Sequence, residues 1–228
     1  MSTDLLILYT YAYIIGSIPT AYVIGRLVKG IDIRQYGSGN VGGSNLFLHV
    51  SKGWVFPLGF FEILIKGVSP IAMGLYVFDL DRSSPFLIGA GLVVLAGNNW
   101  SFFLRFTGGR GIAVTIGLLF ALAPRELGIF IAVAMAGWYI SRSSGIWVLI
   151  SLTLVPLWSF LLGEPLAVIW FSAAVLGLVS LKRLVGNWTP LPEGMPAIKV
   201  LVNRLLKDRD TSPRDQWVHH RPAEREQT

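Results

Sequence analysis

Two glycine-rich clusters hold most of the residues able to do chemistry. The first is Gly37-Ser38-Gly39-Asn40-Val41-Gly42-Gly43-Ser44-Asn45. Glycine accepts φ > 0 and lets the backbone approach a ligand closely. Gly37, Gly39, Gly42 and Gly43 therefore suit a turn whose successive N–H groups converge on an anion. Ser38, Asn40, Ser44 and Asn45 add neutral polar groups that orient a ligand without demanding a counter-charge. The second cluster is Gly108-Gly109-Arg110-Gly111. It sets a fixed cation at the start of an apolar segment, where unpaired N–H groups and the helix dipole already favour an anion. A plain turn needs neither the interleaved serines and asparagines nor an arginine among three glycines. The two clusters are expected to share one phosphate-bearing substrate, with no metal and no cofactor.

Other chemistries find little support. The chain has no cysteine, which removes thiolate catalysis and cysteine-bound metals. Its histidines, His49, His219 and His220, lack metal-site spacing. Ser38 would have only His49 to activate it, so a Ser–His–acid triad is disfavoured. Glu62 and Lys66 stand four apart on one helical face and are expected to pair, with Lys66 as a phosphate ligand the alternative. Asn98 and Asn99 suit either interhelical hydrogen bonds or ligand contact. His49 reads as an interfacial group or a proton carrier.

These residues need a membrane scaffold. Of 228 residues, 53% are hydrophobic and 14% charged, where a soluble domain carries about 25% charged. The mean hydropathy is +0.61. The expected fold is all-α and polytopic, with about seven transmembrane segments: 5–28, 54–78, 86–104, 112–123, 127–140, 146–162 and 166–181. The first lacks a basic leader and cleavage site, so it reads as a retained helix. The fourth is short, so either part of the second cluster lies at membrane depth or the helix is tucked inside the bundle. With seven spans, Lys29, Arg34, Lys52, Arg105, Arg110, Arg142, Lys182 and Arg183 share one side, against Arg82 and Arg125 on the other. The positive-inside rule then puts both clusters and the C-terminus in the cytoplasm and the N-terminus outside. The expected division is a membrane domain over 1–185 and a cytoplasmic tail over 186–228. In that tail, 197–207 reads as an amphipathic helix on the lipid surface and 208–228 as disordered. The net charge of +6 points to anionic lipid and not to nucleic acid.

In order and spacing these motifs resemble the PlsY family of bacterial membrane glycerol-3-phosphate acyltransferases. The resemblance runs from about Gly16 to Arg183: Gly16-Ser17-Ile18-Pro19, Gly30-Ile31-Asp32-Ile33-Arg34, the first cluster, Glu62-Ile63-Leu64-Ile65-Lys66-Gly67, and Gly108-Gly109-Arg110-Gly111-Ile112-Ala113, where the family usually has Gly-Gly-Lys-Gly-Val-Ala. Leu48-His49 stands where an arginine is expected, and Asn98 where the family commonly has histidine. The third family motif, Arg-His-Arg-x-x-Asn ahead of Lys-Arg-Leu, has no counterpart in 176–181. A shifted alignment uses Lys182, Arg183 and Asn187 instead, without the histidine.

The resemblance implies an inner-membrane enzyme that moves an acyl chain from acyl phosphate to glycerol 3-phosphate, giving lysophosphatidic acid. Ser38 and Arg110 would be catalytic. Substrate binding would fall to Gly37, Gly39, Asn40, Gly42, Gly43, Ser44, Asn45, Lys66, Asn98, Gly108, Gly109, Gly111, Lys182 and Arg183. The alternatives are a catalytically impaired relative that binds phospholipid precursors or assists another enzyme, and an anion or lipid transporter. Transport needs a continuous polar path, which the outer helix halves do not offer.

Overall fold

In the computed structural model, which describes residues 2–192 and 194–210, the regular elements are all helices. Apolar runs in lipid must pair every backbone N–H and C=O within the segment, and the helix does so. α1 (Ser2–Ser17) and α2 (Thr20–Lys29) divide the first expected span. The break falls at Pro19, which has no N–H to continue the ladder. α3 (Gly43–His49) follows the first glycine cluster. α4 (Val55–Phe60) and α5 (Ser69–Tyr76) are joined by a wider π-helical stretch, Phe61–Val68, which carries Glu62 and Lys66. Then come α6 (Pro85–Asn99), α7 (Ile112–Leu122), α8 (Pro124–Ser141), α9 (Ser144–Leu161), α10 (Leu166–Val185) and α11 (Ala197–Lys207).

All seven expected apolar segments are therefore helical. Among the described residues, four helical stretches are long and apolar enough to cross a membrane: Ser2–Lys29, Val55–Tyr76, Ser144–Leu161 and Leu166–Val185. α6 and α7 are apolar but shorter. For α7 the second of the two expectations holds. Val114, Thr115, Leu118, Leu119 and Leu122 are all buried, so the helix is tucked inside.

α1 lies along α6, the π-helical stretch along α7, α8 along α9, and α10 against both α9 and α6. One close backbone crossing is Gly67 on Gly117. A Cβ on Gly117 would stand 2.1 Å from the Ile63 carbonyl oxygen, and one on Gly67 2.7 Å from Gly117 Cα. Lipid supplies no hydrophobic drive between helices, so small residues that admit close backbone contact do the joining. Lys66, next to that contact, lines a small void with Asn98, Gly108 and Gly109. The main core includes Leu87, Val94, Leu118, Phe171 and Val175. A smaller one, around Ile33, Leu46, Leu58 and Leu104, anchors the first glycine cluster to its helices.

α11 has the expected bounds. Val200, Asn203 and Arg204 are buried, while Ile198 and Val202 remain exposed; the helix packs on α9 and α10. The expected disordered stretch departs at its beginning. Asp208 and Asp210 pair with Arg110 and Arg204, so ionic contacts hold this turn against the bundle. Residues 211–228, with His219 and His220, lie outside the described residues.

Candidate active site

The first cluster is built on a charge-braced turn. Asp32 Oδ1 accepts from Arg34 N at 3.1 Å and Arg34 Nε at 3.0 Å, and Oδ2 from Arg34 Nη2 at 2.7 Å. Arg26 Nη2 adds a longer contact at 3.4 Å. The chain then passes through Gly37 and Gly39, at φ +57° and +66°, which side chains rarely adopt. Gly42 and Gly43 differ from expectation. Gly42 has extended backbone at φ −158° and caps α3, and Gly43 is the first residue of that helix. Ser38 Oγ accepts from Asn40 N at 3.4 Å. Asn45, 2% exposed, points inward. Its amide nitrogen donates to the carbonyls of Ile33, Tyr36 and Asn40 at 3.0, 2.9 and 3.0 Å, bracing the loop from within. The His49 ring lies against Tyr36, centroids 5.8 Å apart, behind Gly37.

The Arg34 side-chain bonds hold the Asp32 carboxyl below its ordinary value of 3.8. A depressed native value means the unfolded chain takes up the proton first. The brace is thus fully present above pH 3.8 and is lost as pH falls through the lower native value. Asp32→Asn is expected to lower the melting temperature at pH 7, with the difference from wild type shrinking below pH 3.8. Thermal unfolding at the two pH values checks this.

The second cluster follows α6. Gly109 N donates to the Asn98 carbonyl at 3.0 Å. Gly111 caps α7 at φ +75°, and a Cβ there would stand 2.2 Å from Leu95 Cδ1. Arg110, 9% exposed, donates Nη1 to the Lys182 carbonyl at 2.9 Å, and its Nε lies 2.6 Å from Asp208 Oδ1. Asn187 joins the two clusters. Its Oδ1 accepts from Gly108 N at 3.0 Å and Lys182 Nζ at 2.9 Å, and its Nδ2 donates to the Gly39 carbonyl at 3.2 Å. One side chain therefore spans from one glycine cluster to the other. The Glu62–Lys66 pair forms as expected, at 2.7 Å, and Lys66 Nζ also donates to Asn98 Oδ1 at 3.0 Å.

Two cavities meet here. One, of about 550 Å³, is lined by Gly37, Ser38, Gly39, Thr107, Arg110 and Asn187, with Asp32, Arg34, Thr189, Arg204, Arg209 and Asp210 around them. The other, of about 300 Å³, is lined by Asn40, Gly42, Gly43, Ser44, Glu62, Asn98, Gly109, Arg110, Gly111, Arg183 and Asp208, and also by apolar Val55, Leu58, Ile112 and Val148. Arg110 borders both. Asn45, Lys66, Gly108 and Lys182 border neither. Lys66 and Gly108 line a small void of about 10 Å³, and Lys182 is buried beneath Trp100, with Nζ 5.4 Å from the ring centroid.

Cavity-lining residues outside the sequence-derived set include Thr107, Asn187, Thr189, Arg204, Asp208 and Asp210. Asn187 did leave a signal. It follows Lys182 by five positions, the offset between the first Arg and the Asn of Arg-His-Arg-x-x-Asn. Asp208 left none, being one acid in a run of mixed charge.

The family model described as glycerol-3-phosphate acyltransferase matches residues 6–189. Glycerol-3-phosphate acyltransferase 4 of Dehalococcoides mccartyi (strain CBDB1) is 30% identical over 230 residues, 98% of this chain and 97% of that relative. The crystal structure of PlsY (YgiH), an integral membrane glycerol 3-phosphate acyltransferase, in its glycerol 3-phosphate form matches with a TM-score of 0.75 and 26% identity, over 91% of this chain and 94% of that one. Its lysophosphatidic acid form matches at 0.74 over 94% and 97%. With Arg110 of the second glycine cluster bordering both cavities in an all-helical apolar scaffold, and with matches spanning nearly its whole length, the chain belongs to the glycerol-3-phosphate acyltransferase family of membrane enzymes.

Proposed function

We propose that this chain transfers the acyl group of acyl phosphate to the sn-1 hydroxyl of glycerol 3-phosphate, giving lysophosphatidic acid and orthophosphate. The observation that carries the reading is Arg110, which borders a polar cavity beside Ser38 and a partly apolar one beside Val55, Leu58, Ile112 and Val148. The polar cavity suits a small phosphorylated polyol. The other suits an anionic head with the start of a hydrocarbon chain behind it.

In this reading the acceptor hydroxyl attacks the acyl carbonyl, an ester bond forms, the acyl–phosphate bond breaks, and the hydroxyl proton leaves with the phosphate. Arg110 holds the phosphate oxygens, a task a planar guanidinium does well. Ser38 Oγ already accepts a backbone N–H, so its own hydrogen is available to a substrate oxygen or the developing oxyanion. The remaining service is alignment, because holding hydroxyl and carbonyl in contact removes most of the entropic barrier. Gly37, Gly39, Asn40, Gly42, Gly43, Ser44, Asn98, Gly109, Gly111 and Arg183 form the walls. Asn45, Gly108, Lys66 and Lys182 set the positions of those walls from behind.

The same reading puts seven spans in the bacterial inner membrane, with the N-terminus outside, the site at the cytoplasmic face and the tail from residue 186 on that side. Its support is the segregation of charge. Arg82 and Arg125 both pair with Glu164, away from Arg110, Lys182 and Arg183.

Purified protein in proteoliposomes, given palmitoyl phosphate and glycerol 3-phosphate, is expected to release one orthophosphate for each lysophosphatidic acid formed. Palmitoyl coenzyme A in place of the acyl phosphate should yield none. Lysophosphatidic acid from the thioester alone would contradict the proposed donor.

A further inference from the structure

Arg110 and Arg183 bring two buried guanidinium groups to the smaller cavity, with Lys182 buried behind them. The carboxylate that answers them comes from the far end of the chain. Asp208 Oδ1 lies 2.6 Å from Arg110 Nε, and Asp208 borders the smaller cavity with Arg183. Its side chain keeps 25% of its exposure, so it stands at the rim.

The placement is constructed. Asp208 caps α11 in the left-handed region, at φ +58°, with its N–H on the Arg204 carbonyl at 3.1 Å, a conformation uncommon outside glycine. Two residues on, Asp210 Oδ1 lies 2.6 Å from Arg204 Nε. Arg204 is itself buried and donates Nη2 to the Thr189 carbonyl at 3.1 Å. The end of α11 is thereby pinned so that its last turn delivers a carboxylate to Arg110.

A buried guanidinium without an anion is costly, and a carboxylate at 2.6 Å relieves that cost. A phosphate brought to the same guanidinium relieves it too, and would then stand beside a like charge. We propose that Asp208 is a tethered counter-anion occupying the position on Arg110 that the donor's phosphate takes, so that acyl phosphate binds by displacing it. The proposal rests on the reading of Arg110 as the phosphate clamp. Asp208 can leave toward solvent while Arg204 and Val200 keep α11 in place. It also acts as a filter. A dianionic head can expel the carboxylate, whereas an uncharged acyl ester or thioester lacks the charge to do so.

The test uses the full chain and Asp208→Asn, which keeps size and removes charge. The KM for palmitoyl phosphate is expected to fall about tenfold, as for removal of one competing charge contact, without a parallel fall in KM for glycerol 3-phosphate. Calorimetric titration with inorganic phosphate should show tighter binding by a similar factor. Asp208→Ser, which also lacks the charge, must move both readings the same way. A KM for palmitoyl phosphate that stays level or rises, with phosphate binding level or weaker, would overturn the proposal and leave Asp208 a structural partner of Arg110. If the wild type releases no phosphate from palmitoyl phosphate, the functional reading fails, and the inorganic-phosphate titration alone decides the role of Asp208. Tighter binding by Asp208→Asn then upholds it, and equal or weaker binding sinks it.

Discussion

Replacing Arg110 with alanine is expected to lower kcat for lysophosphatidic acid formation roughly 10²–10³-fold, the usual loss when a preorganised group facing developing charge is removed. Ser38→Ala should lose a similar amount. Both residues border the polar cavity, but only Arg110 also reaches the apolar one. Arg110→Ala should therefore weaken the donor as well as slow turnover, while Ser38→Ala slows turnover with less effect on donor KM. Arg110→Lys is the informative control. The family usually has lysine there, so that variant should recover activity to within about tenfold of wild type. Its loss would come from the second donor that Arg110 sends to the Lys182 carbonyl. Steady-state kinetics on the three variants, with both substrates varied, checks the set.

Asn187 carries the second large effect. Asn187→Ala removes the acceptor of the buried Lys182 Nζ, the acceptor of Gly108 N and the donor to the Gly39 carbonyl in one step. A buried polar group left unpaired costs about 1–3 kcal/mol, and here three partners are affected. The expected result is a clear drop in melting temperature and a fall of at least 10²-fold in kcat/KM, since misplacing a substrate by about 1 Å can cost that much. Asn187→Asp separates the parts. A carboxylate still accepts from Lys182 and Gly108 but cannot donate to Gly39. It should keep the melting temperature near wild type while losing most of the activity, both because the first loop is untied and because an anion now stands beside the phosphate site. Wild-type turnover in Asn187→Asp would mean the link to Gly39 plays no part.

Much of this architecture was legible in the residues. Apolar runs of helical length can pair their backbone in lipid only as helices, and all seven are helical. Glu62 and Lys66, four apart in an apolar segment, had no cheaper state than a mutual pair, and they form one. What composition hid was direction and distance. Asn45 and Ser44 read alike as donors in a glycine loop, but Asn45 turns inward and holds three carbonyls. Gly42 and Gly43 read like Gly37 and Gly39, yet the helix they open needs ordinary φ values, and left-handed backbone in that cluster is confined to the other two. Pro19 was tolerable in one long span by composition, but it lies where the backbone breaks. Lys182 and Arg183 both bordered the expected site by sequence, yet the helical rotation between neighbours sends the first under Trp100 and the second to the smaller cavity, both of them buried. Asp208 lies 98 positions from Arg110 by subtraction of their numbers, and no local pattern reports a contact at that separation.

The central claim is that the two glycine clusters close over one anion, and a chain without cysteine tests it cleanly. Cysteines are introduced at Ser38, in the first cluster, and at Thr107, immediately before the second, which line the same cavity, and the membrane-embedded double variant is treated with a short bis-maleimide. Intact-mass analysis should find the reagent bridged within one chain, with bridging suppressed by glycerol 3-phosphate. Two separate single additions, or bridging indifferent to glycerol 3-phosphate, would contradict the claim.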